Sequence, residues 1–132
     1  MKILIPLTLL ATLTGILHSK TPEVLAKTTR GTPVIQAIDV INFAPEGVLL
    51  IGDGRGAQIL AIKTGDTSAG KPFNKTIHDI DKHLAGVLGT HADGIEIIDL
   101  AVNPASGRAY FAIRKQDDKS QVILSIDGDG KV

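Results

Sequence analysis

The glycine-rich stretch Gly52–Gly56, which reads Gly-Asp-Gly-Arg-Gly, combines two charged side chains with a backbone that can bend sharply. Glycines let a backbone approach a phosphate closely, so a nucleotide loop is the first possibility. However, the Lys-Ser/Thr of a P-loop is missing, the glycine spacing does not match G-x-G-x-x-G, and a strand rather than a helix is predicted to follow. The sequence therefore predicts a tight loop between strands, in which Asp53 and Arg55 are candidate ligand contacts.

Imidazoles and carboxylates, which can bind metal ions, are concentrated in a second stretch that contains His78, Asp79, Asp81, His83, His91 and Asp93. On a helix, His78 and His83 lie about 140° apart, too far for one ion to share, and no HExxH motif is present. The segment Asp127–Gly130 opens like a calcium loop, but the third oxygen ligand and the Glu at position 12 are missing. We therefore predict a solvated helix face and a turn, with no metal ligands among these residues.

The overall composition excludes several classes of chemistry. The 132 residues include 14 positive and 14 negative side chains, so no basic surface steers the chain to nucleic acid. Three phenylalanines, one tyrosine and no tryptophan are too few for base-stacking platforms. The absence of cysteine rules out disulfides, thiolate metal sites and a cysteine nucleophile. No serine lies in a G-x-S-x-G context, so no nucleophile is assigned.

The N-terminus predicts export. After the positive start Met1-Lys2, the uncharged and mostly apolar run Ile3–Leu17 has the length of a signal-peptide core and is too short to span a bilayer. Cleavage after Ser19 or after Ala26 fits, and we favour the second, which makes residues 1–26 the signal peptide. A buried N-terminal helix or strand is the alternative. We expect a secreted or periplasmic mature protein with no membrane span.

An internal repeat organises the remainder of the chain. Each copy has an apolar run, a turn from proline to glycine, a second apolar run and, further on, a third. The matched segments are Ile41–Ile51 with Leu100–Phe111, and Ile59–Ile62 with Ile123–Ile126. Pro45–Gly47 and Pro104–Gly107 are predicted hairpin turns, because proline fixes φ and glycine accepts a positive φ. Consecutive apolar residues, as in Val48–Ile51, are typical of strands covered on both faces, which implies sheets stacked on sheets.

A helical pattern separates the two copies. Its apolar stripe consists of Ile77, Ile80, Leu84, Val87 and Leu88. Thr76 can cap the start of this helix and Gly89 its end, which predicts a helix over residues 76–88. The segment before it, Lys63–Lys75, is rich in Thr, Ser and Gly and is predicted to be an exposed loop.

The first copy carries the pattern apolar-x-apolar-x-Pro-x-Gly-x-x-apolar-apolar-x-Asp at Ile41–Asp53, followed by the apolar Ile59–Ile62. This pattern resembles blades of β-propellers of the NHL-repeat or TolB-like six-bladed group, which includes strictosidine-synthase-like and gluconolactonase-like proteins. The second copy departs from it at Ile113, which stands where the first copy has Asp53.

The resemblance implies a mainly β fold for residues 27–132: a partial propeller of two blade-like antiparallel sheets, over residues 34–66 and 96–132, with one short inserted helix. A small β-sandwich is the alternative. Propellers close with four to eight blades, so we expect an N-terminal portion of a longer protein, or blades that complete a ring with other chains.

In such a fold, Asp39 and Asp99 begin or enter the inner strands and would face a central channel, which adds them to Asp53 and Arg55 as candidate ligand-binding residues. We expect an exported, non-enzymatic binding module for a protein or small-molecule ligand, without a cofactor. The alternative is a secreted hydrolase or lactonase, because gluconolactonase-like proteins hold a divalent ion such as Ca²⁺ in the channel. A fold alone does not assign a function.

Overall fold

The computed structural model describes residues 25–132, so the part of the expected signal segment before Leu25 lies outside the described residues. Over this range the chain forms two three-stranded antiparallel sheets. Sheet 1 contains β1 (Val40–Ala44), β2 (Val48–Asp53) and β3 (Gln58–Lys63), and sheet 2 contains β4 (Ile95–Val102), β5 (Ala109–Lys115) and β6 (Gln121–Ile126). Strands pair in chain order within each sheet, and the described residues form no closed barrel. The mainly β class predicted from the repeat is confirmed.

Both predicted hairpin turns connect the first two strands of a sheet. Ala44 pairs with Val48 across Pro45–Gly47 in sheet 1, and Val102 pairs with Ala109 across the corresponding turn in sheet 2. Gly47 has a φ of 69°, a left-handed conformation that glycine adopts without a steric penalty. The proline-to-glycine spacing therefore located these turns correctly.

The two sheets stack through one apolar core. Ile41, Ile51 and Leu60 lie side by side across sheet 1 and are buried against Ala101 and Ala112 of sheet 2. Side chains alternate between the faces of a strand, so one row of each sheet builds this core while the neighbouring positions point away from it. The small alanines of sheet 2 leave room for the larger side chains of sheet 1.

A β-bulge in β4 changes which residues face sheet 1. The register between β4 and β5 shifts between Ile97 and Asp99, so that Ile97 pairs with Ile113 and Asp99 pairs with Ala112. Ile98, between them, has no partner in β5. This extra residue shifts the alternation of side chains between the two faces of β4 by one position. As a result, Asp99 lies on the face of sheet 2 that meets sheet 1.

The helix α1 (Ile80–Val87) covers the opposite face of sheet 2. Leu84 and Ala85 are fully buried in the core that includes Phe111 and Ile126. Sheet 2 is therefore covered on both faces, by sheet 1 and by α1.

The start of α1 differs from the sequence prediction. The predicted helix over residues 76–88 begins only at Ile80, and Thr76 does not cap it. Asp79 precedes the helix with a φ of 49° and a ψ of 46°. This left-handed backbone prevents the residues before it from continuing the helix. Gly89, with a φ of 71°, follows the helix as expected.

Candidate functional site

Three of the four candidate ligand-binding residues lie together at one end of sheet 1. Asp39 precedes β1, Asp53 ends β2, and Arg55 is in the loop between β2 and β3. Because Val40 pairs with Gly52, the start of β1 and the end of β2 are neighbours. A shallow cleft of about 390 Å³ opens here, lined by Asp39, Gly54 and Gln58 together with the apolar Val40 and Ile59.

Asp53 is the structural centre of this end of the sheet, with only 1% of its surface exposed. Its Oδ1 accepts hydrogen bonds from the backbone N–H groups of Ala37 (3.0 Å) and Gly56 (2.8 Å). Its Oδ2 accepts from the backbone N–H of Gln36 (2.8 Å) and from the Gln58 side-chain amide (2.9 Å). One carboxylate thus joins the segment before β1, the β2–β3 loop and β3.

These donors favour the ionised form of the carboxylate. The hydrogen bond from Gln36 contributes most to lowering the pKa of Asp53, and those from Gln58, Gly56 and Ala37 add to it, so that the pKa falls to about 2 although burial acts in the opposite direction. Asp53 is therefore ionised throughout the physiological range and holds the loop in one conformation. Its direct contact with a ligand stays a prediction.

Asp39 lines the cleft and Arg55 lies in the β2–β3 loop beside it, and both residues are exposed. Asp39 Oδ2 accepts a hydrogen bond of 2.8 Å from the backbone N–H of Gly54, whereas its Oδ1 accepts none within residues 25–132. A side chain at Gly54 would place its Cβ 2.7 Å from Asp39 Oδ2, so the Asp39 carboxylate would have to move away from the Gly54 N–H. Arg55 forms no ion pair or hydrogen bond with the described part of the chain. Both groups are available to a ligand.

The fourth candidate, Asp99, lies in the seam between the sheets rather than in the cleft. Its Oδ2 accepts a hydrogen bond of 2.8 Å from the backbone N–H of Ile41 in β1, and its Oδ1 accepts one of 2.8 Å from Leu100. β1 is an edge strand of sheet 1, so no neighbouring strand of that sheet accepts the Ile41 N–H. The Asp99 carboxylate accepts it instead. Whether Asp99 also contacts a ligand stays a prediction.

A second carboxylate cluster in the same seam was not recognised from the sequence. Asp66, which follows β3, accepts hydrogen bonds from Ser106 (2.5 Å), Asn103 (2.9 Å) and Tyr110 (3.0 Å) of the β4–β5 hairpin. The Tyr110 ring also packs edge-to-face on Phe43 of β1, with the ring centroids 4.9 Å apart. The sequence shows only that Asn103 precedes the predicted turn at Pro104–Gly107 and that Ser106 lies in it, which does not identify Asp66 as their partner.

Burial and hydrogen bonding act against each other in this cluster. Burial raises the pKa of Asp66, but the bonds from Ser106, Asn103 and Tyr110 outweigh it and lower the pKa below its usual value. Burial, the bond to Asp66 and the negative charge of Asp66 all raise the pKa of Tyr110. The cluster therefore joins an ionised carboxylate to a neutral phenol across the two sheets.

Gln121 of β6 forms a third polar link in the seam. Its side-chain oxygen accepts a hydrogen bond of 2.8 Å from the backbone N–H of Ile38, and its side-chain nitrogen donates one of 3.2 Å to the Ile38 carbonyl. The N–H and the carbonyl of Ile38, which lies in the segment before β1, are thus both hydrogen-bonded to the Gln121 side chain.

The histidine-rich stretch does not bring metal-binding side chains together. Within the described residues, no group of three His, Cys, Asp or Glu side chains could hold a metal ion. The ring Nε2 of His83 lies 2.9 Å from the carbonyl oxygen of Gly130. Asp127 Oδ1 accepts the backbone N–H groups of Asp129 (3.0 Å) and Lys131 (2.9 Å), which confirms a turn at Asp127–Gly130.

Comparisons of the chain with protein-family models, curated proteins and solved structures find no match. Across residues 25–132, none of the helical segments has the length and apolar character needed to cross a bilayer.

Proposed function

We propose that this protein is an exported, propeller-type binding module that uses the β2–β3 loop of sheet 1 to bind a polar small molecule or a polar segment of another protein. The observation that carries this proposal is the buried carboxylate of Asp53, which fixes the loop and leaves Asp39 and Arg55 exposed beside it. A loop held in one conformation loses little entropy when a ligand binds, so its affinity is higher than that of a mobile loop.

The chemistry of the two exposed groups suggests the class of ligand. The Arg55 guanidinium donates hydrogen bonds to carboxylate or phosphate oxygens, and the Oδ1 of Asp39 accepts hydrogen bonds from hydroxyl or amino groups. A ligand with an anionic group and a neighbouring hydroxyl or amine fits both. Sugar acids, hydroxy acids and the polar side chains of a peptide belong to this class.

The arrangement of the sheets supports a propeller-type architecture over a small sandwich. The first strands, β1 and β4, lie next to each other, and Asp99 of β4 receives the N–H of Ile41 in β1. Neighbouring blades of a propeller place their inner strands in this way around a common axis.

Export is supported by the N-terminal sequence, in which the positive start Met1-Lys2 precedes the uncharged and mostly apolar run Ile3–Leu17. Expression in a bacterial host followed by N-terminal sequencing of the periplasmic fraction tests it. We expect a mature chain that starts at Lys27. A protein that stays in the cytoplasm with Met1 intact contradicts export.

Ligand binding is tested by a thermal-shift screen of the protein against hydroxy acids, sugar acids, sugar phosphates and short acidic peptides. At least one compound is expected to raise the melting temperature, and Arg55→Ala or Asp39→Asn is expected to remove that increase. Lys75→Ala and Asp93→Asn change similar exposed side chains away from the cleft and should keep it. The proposal fails if no compound raises the melting temperature, or if both cleft variants respond like the unchanged protein.

A further inference from the structure

The strand β3 has one edge that pairs with β2 and one edge that is free. Gly47 and Thr64 continue the β2–β3 register, and the Thr64 N–H donates to the Gly47 carbonyl oxygen (3.2 Å). Hydrogen-bonded and non-hydrogen-bonded pairs alternate in an antiparallel ladder, so the backbone groups of Ile59, Ala61 and Lys63 point away from β2. Within residues 25–132, no N–H or carbonyl oxygen of these three residues has a hydrogen-bond partner.

A groove of about 1070 Å³ lies at this free edge. It is lined by all six residues of β3 and, from the segment before β1, by Leu25, residues 28–33 and Ile35. The six residues of β3 alternate between the two faces of sheet 1, and no described residue of β1 or β2 lines the groove. The groove therefore lies beside the edge of the sheet and not over one of its faces.

The free edge of β3 determines the kind of molecule that can fill this groove. Three N–H groups and three carbonyl oxygens at the spacing of a β-strand are matched by the backbone of an extended polypeptide. A segment of about six residues spans about 20 Å, which is the length of β3. Because backbone groups alone pair along the edge, this part of the recognition does not depend on sequence.

The side chains along the groove indicate which sequences it favours. Ile59 is 81% exposed and Ile62 is 40% exposed, and they lie on opposite faces of β3. Apolar side chains on either face of an added strand would bury surface against them. Arg30 and Lys63 also line the groove, and none of its described lining residues is acidic. Neither cation forms an ion pair within residues 25–132, so both are available to a carboxylate.

We propose that β3 binds an extended, acidic segment of another protein in this groove, and that the segment becomes the fourth strand of sheet 1. The edge of β6, which occupies the same position in the repeat, is half-buried along residues 121–125, so the assignment is to β3 alone. The groove adjoins the cleft at Gln58 and Ile59 but contains neither Asp39 nor Arg55. It is a second site, beyond the function proposed above.

Selection of a phage library of random peptides of about ten residues on the full chain tests the proposal. We expect the enriched peptides to combine alternating apolar residues with at least one Asp or Glu. Synthetic copies of these peptides are then used to measure the Kd by fluorescence anisotropy. A selection that enriches no peptide, or that enriches peptides without acidic residues, overturns the proposal.

Two proline variants test whether the peptide pairs with the edge of β3. Ala61→Pro removes an outward N–H and leaves the ladder with β2 intact, because proline is tolerated where the N–H points away from the sheet. We expect the Kd to rise by about tenfold or more. Ser125→Pro is the matched control, since Ser125 has the same repeat position on the edge of β6, and it should leave the Kd unchanged. Binding that is equal in the two variants places the peptide elsewhere and contradicts the proposal.

Charge reversal keeps the proposal testable if Ala61→Pro does not fold. Lys63→Glu should raise the Kd by about tenfold, whereas Lys75→Glu, at an exposed lysine outside the groove, should not change it. Asp39→Asn changes only the cleft and should keep peptide binding, so the two sites can fail separately. The unliganded protein is expected to stay monomeric in sedimentation velocity. Self-association that Ala61→Pro abolishes would show that a second copy occupies the edge, which overturns the proposal.

Discussion

At the scale of single residues, the carboxylate of Asp53 has the largest structural role among the four candidates. Its two oxygens accept four hydrogen bonds. Two come from the backbone N–H groups of Gln36 and Ala37 before β1, and two come from the Gly56 N–H and the Gln58 side chain after β2. A carboxylate can accept all four bonds, but an amide presents two N–H donors on one side. Asp53 is thus a positioning residue for the loop that carries Arg55.

We predict that Asp53→Asn destabilises the protein, because the amide nitrogen would face donors at Gln36 and Gln58. A decrease in melting temperature of about 5–10 °C at pH 6 is expected. Asp93→Asn, which changes an exposed carboxylate with no hydrogen bond inside residues 25–132, should change the melting temperature by less than about 2 °C. Calorimetry at pH 6 measures both variants.

The pH dependence of this difference has a defined direction. The pKa of Asp53 is lowered in the folded protein to about 2 from 3.8, so the folded state binds fewer protons than the unfolded state between these values. The contribution of the carboxylate is complete above about pH 4 and is lost as the pH falls towards 2. The melting temperatures of the unchanged protein and of Asp53→Asn should therefore converge between pH 4 and 2. A constant difference over this interval contradicts the assignment.

At the scale of elements, the loop after β3 fixes sheet 1 to the β4–β5 hairpin through Asp66. Tyr110 is the only tyrosine and the chain has no tryptophan, so the absorbance change near 295 nm (the phenolate band) reports this one side chain. Burial, the bond to Asp66 and its charge raise the pKa of Tyr110 above 10.0. We predict that Asp66→Asn lowers the pKa of Tyr110, because the amide removes the negative charge next to the phenol.

Spectrophotometric titration measures this change directly. Asp129→Asn removes a carboxylate that pairs with Lys71 away from Tyr110, and is expected to leave the Tyr110 pKa unchanged. If Asp66→Asn also leaves that pKa unchanged, the hydrogen bond between Asp66 and Tyr110 is absent in solution.

The repeat pattern predicted the strands and turns because these depend on local chemistry. The apolar runs at Val48–Ile51 and Ile123–Ile126 lie within β2 and β6, and Pro45–Gly47 lies between β1 and β2. Alternation, β-branched residues and the φ preferences of proline and glycine act over a few residues, so a single sequence contains them.

The features missed depend on contacts between distant residues. α1 begins at Ile80 and not at the predicted Thr76, because Asp79 adopts a left-handed backbone. The presence of an aspartate in the sequence does not predict that conformation. Asp66 binds the β4–β5 hairpin and Gln121 binds Ile38 before β1, in both cases more than thirty positions away in the sequence. The partners of a polar side chain in a loop or strand follow from how the sheets stack, and the periodicity of the sequence does not specify that.

At the scale of the whole molecule, the two sheets share a core and three polar links. Ile51 of sheet 1 is fully buried in the cluster that contains Ala101 and Ala112 of sheet 2. Asp66, Asp99 and Gln121 satisfy backbone or side-chain groups across the same seam. Neither sheet can separate without exposing apolar surface and unpaired polar groups, so we expect sheets 1 and 2 to unfold as one cooperative unit.

We predict that Ile51→Ala lowers the free energy of unfolding by about 2–5 kcal/mol, the range for large-to-small changes in a core. In a cooperative unit, the slowest-exchanging backbone amides of β2 and of β5 should lose the same amount of protection, although Ile51 is in sheet 1 only. Leu100→Ala truncates an apolar residue that is 49% exposed, and should cost less than about 1 kcal/mol. Hydrogen exchange measured by NMR gives these values for each amide. If the protection of β5 is unchanged in Ile51→Ala while that of β2 falls, the sheets unfold independently, and the seam contributes much less to stability than its contacts indicate.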